Sequence, residues 1–377
     1  MLKRSIGLVL TMMGCFACGP TPDDVPGPKA PPPPSASAPA PTAEPTTSAA
    51  TPLPPSRPPL VELQKNALKN MILAFNSRDA KKVAALYSAD VISGSAGPMG
   101  WEEEKGNTAI EVGHTKLFAA FPDMTWASPR AYVSGNVVIQ EWISNATHSG
   151  EFGGMKASGK KTGIFGISVY WFNEDGQITT DHTYFDGATV AQQVGEMPGK
   201  PRAIPALPTA EMVVITPVGG IEENKRISAA KLMYQGFVGA DEKAFLEWID
   251  ENVTQTAYAS PVDSKGKKQA AEHYQMLHKA FPDLNISITN HWAFGEKVIA
   301  EVTMTGTHKG NLGPLKASGK PVTLHSLDVI TFNNQNKVTS IESYSNSLEL
   351  LGQIGALGGG KPDKAPDKPA APKPTKK

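Results

Sequence analysis

The sequence predicts an α+β protein made of two tandem copies of one domain, and two observations carry that prediction. Residues 105–195 read again, without insertion or deletion, as residues 265–355, with 27 of 91 positions identical. Ala120-Phe121-Pro122-Asp123 recurs as Ala280-Phe281-Pro282-Asp283, and Thr147-His148-x-Gly150 as Thr307-His308-x-Gly310. The loop from Lys156 to Lys160 recurs from Lys316 to Lys320, at the same offset of 160. That period is too long for a solenoid unit and suits a whole small domain. The second observation is order: in each copy helical spacing comes first and strand composition later. Such an order reads as helices packed on one face of an antiparallel sheet.

Domain 1 is placed at 61–197. Leu63, Ala67, Met71, Ile72 and Phe75 form an apolar stripe at helical spacing. Residues 76–79 break it and cap a second short helix over 80–87; a third helix runs over 108–121 and ends at Pro122-Asp123. Strands follow at 136–149, 162–173 and 176–186, rich in Val, Ile, Thr and aromatics and separated by Gly, Asn and Asp. Domain 2, at 224–357, repeats the course with helices at 227–237, 241–249 and 269–281 and strands at 297–308, 322–333 and 337–347. The connection over 198–223 is proline-rich and holds Met212-Val213-Val214-Ile215, a candidate extra strand.

The ends read differently. Lys3 and Arg4 precede an apolar stretch over 6–13, the pattern of a secretory signal. Thr11-Met12-Met13-Gly14-Cys15 resembles a bacterial lipobox, with Cys18 the alternative lipidated residue. Residues 1–18 are therefore read as a lipoprotein signal, which places the protein in a bacterial cell envelope, anchored to a membrane by lipid. Residues 19–60, dominated by Pro, Ala, Ser and Thr, read as a disordered tether, and the Lys- and Pro-rich residues 358–377 as a disordered tail. The formal net charge is +0 and no long run of like charge occurs in the body, which argues against a nucleic-acid partner. The only cysteines are Cys15 and Cys18, so a disulfide, a thiolate metal site and a cysteine nucleophile are excluded from the folded domains.

The repeated motifs, in this order, resemble the SnoaL-like polyketide cyclase family of the nuclear transport factor 2-like superfamily. The residues are Phe121-Pro122-Asp123, Thr147-His148-Ser149-Gly150, Ala157-Ser158-Gly159, Asp175-Gly176 and Gln193-Val194-Gly195. Domain 2 carries the same series less completely, with Asn336 in place of Gly176 and Gln353-Ile354-Gly355 at its end. The resemblance implies a cone-like curved sheet in each domain, closed by about three helices around an apolar pocket. It also implies aldol-type ring closure without metal or organic cofactor, driven by an acidic residue of the last strand. A carboxyl in an apolar cavity suits that work because burial raises its pKa.

The last strand of domain 1 reads Asp181-His182-Thr183-Tyr184-Phe185-Asp186, with Thr183 at the family's first acidic position. Strand alternation separates Asp181, Thr183 and Phe185 from His182, Tyr184 and Asp186. Asp181 is the leading candidate acid, with Asp186 and His148 behind it. Domain 2 reads Ile341-Glu342-Ser343-Tyr344-Ser345-Asn346 instead. A pocket-facing polar residue of the preceding strand corresponds to His325 in domain 2 and Phe165 in domain 1, and the strand before it carries Glu141 and Glu301 in place of an arginine. Trp142, Phe165, Tyr184, His182, His308, His325 and Tyr344 complete the candidate pocket residues. For His148 and His308 the competing reading is a turn fixed by hydrogen bonds, and for the tyrosines and tryptophans it is core packing. His114, His148 and His182 lack metal-ligand spacing, so no metal site and no cofactor are expected. Two functions stay open: binding of a small hydrophobic ligand, or cofactor-independent cyclase or isomerase chemistry at Asp181. A third, if the aromatics fill the pockets, is a non-catalytic scaffold. The superfamily pairs through open sheets, which implies a pseudo-dimeric monomer here.

Overall fold

The computed structural model describes residues 58–357. The signal segment with Cys15 and Cys18, most of the N-terminal tether and the C-terminal tail lie outside the described residues.

Repeat 1 opens with helices α1 (Leu60–Ser77) and α2 (Ala80–Ala84), then strands β1 (Tyr87–Gly97) and β2 (Gly100–Lys105). Helix α3 (Asn107–Ala120) leads into β3 (Thr125–Ser134), β4 (Val137–Thr147), β5 (Lys161–Phe172), β6 (Ile178–Phe185) and a closing helix α4 (Gly187–Val194). A short strand, β7 (Val213–Ile215), lies between the repeats. Repeat 2 follows with α5 (Ile221–Val238), α6 (Glu242–Glu247), β8 (Ile249–Ala257), β9 (Ser264–Lys265) and α7 (Lys267–Ala280). It ends with β10 (Asn285–Phe294), β11 (Lys297–Thr307), β12 (Pro321–Phe332), β13 (Val338–Ser345) and α8 (Ser347–Ile354).

The sheets run β2-β1-β6-β5-β4-β3-β7 and β10-β11-β12-β13-β8-β9. Most neighbours are antiparallel, but β1 lies parallel to β6, β8 to β13 and β7 to β3. The sequence reading missed β1, whose Ser, Gly and Ala content gives little strand signal. It missed β3 because Pro129 interrupts the pattern; that proline sits at a register shift between Ala127 and Arg130, and β10 has the same shift between Ile288 and Asn290 with Thr289 in its place. Each repeat also has a fourth helix, α4 or α8, beyond the three expected. The segment over 198–223 is not a free connector, since β7 joins the first sheet and α5 begins within it.

The retained motifs fasten helix ends to strands. Asp123 accepts from Thr147 N at 2.7 Å and Thr147 Oγ1 at 2.6 Å, and Asp283 accepts from Thr307 in the same way at 2.8 and 2.6 Å. The amides of Gly150 and Gly310 donate to the carbonyls of Ala120 and Ala280, filling helix-end acceptors. Both glycines are needed sterically: a Cβ on Gly150 would stand 2.7 Å from the Ala119 carbonyl oxygen, and one on Gly310 would strike that of Lys279.

Each sheet buries one face under its own helices. In repeat 1 that interior collects Leu68, Met71, Phe118, Trp126, Trp142 and Tyr170. The opposite faces of the two sheets pack on each other through a shared core that includes Tyr132, Ile139, Ile167, Phe294, Ile299 and Leu327. Tyr132 meets Phe294 at 5.1 Å and Trp171 meets Trp292 at 6.1 Å between ring centroids. The terminal helices exchange caps across this junction. Asp186 caps α4 through Thr189 N at 2.9 Å and also accepts from Ser347 N at 2.8 Å. Asn346 caps α8 through Leu348 N at 3.1 Å and also accepts from Gly187 N at 3.1 Å.

Replacing Asp186 by alanine therefore removes one cap and one link between repeats, and replacing Asn346 removes one cap and two links, because its Nδ2 also donates to the Ala96 carbonyl at 2.7 Å. Each change is expected to lower unfolding free energy by about 1–2 kcal/mol in urea titrations, with the double variant less than additive. Strictly additive losses would show that the two caps act independently.

Candidate site in the cone interiors

In repeat 1, β6 turns Asp181 and Thr183 toward the interior, β5 turns Ser168 and Tyr170, and β4 turns Trp142. The polar groups form a chain that starts at the indole N–H of Trp142, which can only donate, and ends at the carboxyl of Asp181. Trp142 Nε1 donates to Ser168 Oγ at 3.1 Å, and Ser168 and Thr183 hydroxyls meet at 2.8 Å. Thr183 Oγ1 then donates to Asp181 Oδ1 at 2.9 Å. Tyr87 OH donates to Asp181 Oδ2 at 3.1 Å, and Ser93 Oγ reaches the same oxygen at 3.4 Å. Every donor in this set favours the ionised carboxyl, yet burial outweighs them and raises the Asp181 pKa to about 6. That value suits proton exchange near neutral pH.

The interior around Asp181 is well filled. Phe75 stacks on Trp126 at 4.9 Å, and Trp126 and Trp142 lie 6.1 Å apart. Trp142 also lies over Gly166, where any Cβ would strike its ring. An open cleft of about 430 Å³ on the outer helices is lined by Ser77, Arg78, Lys81, Glu111 and Phe118, none of which belongs to the Asp181 chain. A cavity of about 10 Å³ beside Gly163, Phe165, Arg202 and Tyr258 has room for about one water.

Repeat 2 holds a buried interior carboxyl that the sequence reading missed. Asp328 of β12 accepts from Tyr234 OH at 2.6 Å, with Ser326 and Ser343 beside it. It occupies the position of Ser168, while Ile341 occupies that of Asp181. Burial raises its pKa. The carboxyl has thus moved by one strand, from β6 to β12, and both copies bond it to a tyrosine. The signal available was an aspartate among Leu327, Val329 and Ile330, one strand before the strand whose acid the resemblance implies.

The other candidates sit elsewhere, and alternation explains each correction. His182, Tyr184 and Tyr344 project to the face packed against the other repeat. His182 Nδ1 and Tyr184 OH bond Glu301 Oε1 at 2.8 and 2.9 Å. Phe165 shares that face, 4.6 Å from Tyr258, and so does His325, bonded to Glu349 at 2.7 Å. Asp186 is a helix cap. His148 and His308 are fully buried corner residues whose amides and carbonyls bind the Lys156–Lys160 and Lys316–Lys320 loops. Their Nδ1 atoms meet Ser158 and Ser318, both at 3.2 Å. Trp142 does face the interior, where it fills space. Among the described residues no three His, Asp or Glu side chains converge as a metal cluster.

The folded Asp181 pKa near 6 lies above its ordinary 3.8. Between those values the folded protein holds a proton the unfolded chain releases, so stability falls as pH rises. The total is on the order of 2–3 kcal/mol, and Asp181→Asn should remove that slope. Carboxyl ¹³C titration checks it directly: a resonance titrating near 6, absent in Asp181→Asn, is expected, whereas a midpoint near 4 would contradict the assignment.

The family model described as SnoaL-like polyketide cyclase matches residues 65–194 and 228–354. Solved structures similar to this chain are each about one repeat long. AclR from Streptomyces galilaeus is 21% identical with a TM-score of 0.33, covering 36% of this chain and 89% of its own. TsrD from Streptomyces laurentii is 15% identical with a TM-score of 0.34, covering 37% of this chain and 100% of its own. An NTF2-like protein from Burkholderia xenovorans is 20% identical with a TM-score of 0.30, covering 36% of this chain and 99% of its own. No curated protein matches the sequence.

Proposed function

This chain belongs to the SnoaL-like polyketide cyclase family, in tandem form, and from that premise we propose that it is a lipid-anchored, extracytoplasmic binding protein. Its ligand is a small hydrophobic molecule held inside a cone by one buried carboxyl. The observation that carries this reading is the paired placement: Asp181 with Tyr87 in repeat 1, and Asp328 with Tyr234 in repeat 2. A carboxyl buried without a cationic partner is costly, and yet each copy has one, from the last strand in repeat 1 and from the strand before it in repeat 2. Polar anchors of this kind, few and set in apolar walls, fix the orientation of small ligands.

A second reading is proton transfer of the cyclase or isomerase type, and the raised pKa of Asp181 favours it. The two separate on turnover. Binding without conversion supports the first reading; conversion of a bound enolisable ketone, lost in Asp181→Asn with binding kept, would establish the second.

The shared core between the sheets supports a pseudo-dimeric monomer, because it buries within one chain a sheet face that a single domain would expose. Sedimentation of the mature protein is expected to give one chain; a dimer contradicts that arrangement. For the anchor, Cys15→Ser should abolish palmitate incorporation in the bacterial host. Loss only in Cys18→Ser moves the lipid to that residue, and labelling of neither removes the anchor.

A further inference from the structure

The two sheets present four edges, and one of them is unguarded. The edge strand β2 carries Glu102, Glu103, Glu104 and Lys105. At the other edges β9 is two residues long and β7 three. β10, by contrast, runs for ten residues from Asn285 to Phe294 without a charged residue or a proline. No strand among the described residues pairs with its outer side. Exposed edges are ordinarily blunted by charge, proline, shortness or a bulge, because their free N–H and C=O groups recruit other strands. β10 keeps only the bulge, at the register shift between Ile288 and Asn290. That shift does not close the edge: β3 has the same one, between Ala127 and Arg130, and accepts β7 beyond it.

Repeat 1 shows what such an edge takes. Val213, Val214 and Ile215 of β7 lie parallel to Arg130, Ala131 and Tyr132. Met212 and Val214 pack on the core of the cone and Ile215 on the core shared by the sheets, so this segment is apolar on both faces. Ala131, Tyr132 and Val133 are buried, whereas their counterparts His291, Trp292 and Ala293 on β10 are exposed or half-buried. The open seat is continuous with the junction, where Trp292 meets Trp171. The chain's own continuation lacks a strand for it. At the offset of 160 the place of β7 falls on Lys373-Pro374-Thr375, and residues 358–377 hold five prolines and no Val, Ile, Leu or Met. Proline lacks the N–H that a strand ladder needs. The β10 of a second copy suits the seat poorly, because Ile286 and Ile288 alternate with Ser287 and Thr289 and leave one face polar.

We infer that β10 is a docking edge for an extended segment of another protein: a proline-free stretch, aliphatic on both faces, that adds to the sheet parallel to β10 beside Asn290, His291 and Trp292. Main-chain hydrogen bonds supply the affinity, and the side chains that meet His291 and Trp292 supply the selection. The inference does not depend on what a cone binds.

The probe is a capped peptide copying residues 209–216, titrated into full-length protein by calorimetry and located by amide hydrogen exchange. Saturable binding of one peptide per chain is expected below about 1 mM, with exchange slowed within residues 285–294. Two N-methylated peptides decide the geometry, one blocked at the residue copying Val214, the other at those copying Val213 and Ile215. A strand residue directs its N–H and C=O to the same side, so one of these should bind within about threefold of the parent and the other at least about tenfold more weakly. Equal affinity of the two would overturn strand pairing. Slowed exchange within 285–294 that appears only after deletion of residues 358–377 would make the tail the occupant. A dimer in sedimentation, dispersed by the peptide, would make the occupant a second copy. Either result overturns a foreign partner. Protection confined to residues 125–134, or no saturable binding below about 1 mM, would overturn docking at β10.

Discussion

A buried glutamate bonded from both repeats ties this structure together. Glu301 is 2% exposed and lies between the two sheets. Its Oε1 takes hydrogen bonds from His182 and Tyr184 of repeat 1, and its Oε2 from Asn290 of its own repeat. Replacing His182 and Tyr184 by apolar residues would leave the carboxyl of Glu301 buried with most of its partners gone, a cost of several kcal/mol. The sheet faces carrying these groups therefore belong together, and the helices are left to cover the opposite faces. That division makes two cones that open away from each other.

The pseudo-twofold counterpart of this pair reaches balance by another route. Glu141 takes its cation from its own repeat: Arg130 lies 2.6 Å away and Tyr132 adds a bond at 2.8 Å. Position 182 of repeat 1 corresponds to Glu342 in repeat 2, so a second carboxylate lies close by, and Arg130 reaches it at 3.6 Å. Where repeat 1 has Arg130, repeat 2 has Asn290, and where repeat 2 has Glu342, repeat 1 has His182. The two exchanges offset each other. The differences between the copies at these two positions therefore match each other across the junction.

Much of the fold was legible because its signals are local. Helical stripes, cap residues such as Asp79 and Asp241, and the Phe-Pro-Asp and Thr-His-x-Gly corners depend on neighbours in sequence or on repeated spacing. Strands β1 and β3 were not legible, since pairing with β6 and β4 overrides weak propensity and a proline. Of the site, strand alternation correctly set Asp181 apart from His182 and Tyr184. It could not say which face was the cone and which the junction for Phe165 and His325. That choice depends on what packs above each face, and nothing local records it.

By itself, then, the sequence determined the duplication, the α+β class, the scaffold corners and the direction in which Asp181 points, because each follows from periodicity or from identity between copies. The tertiary structure alone decided that Asp186 is a shared helix cap, that His182, His325, Tyr184 and Tyr344 serve the junction, and that Asp328 supplies the interior carboxyl that Asp181 supplies in the other copy. The physical reason is that a buried carboxyl is specified by its position in space. A neighbouring strand can supply it just as well, and only the assembled sheet shows that the two sources meet at one point.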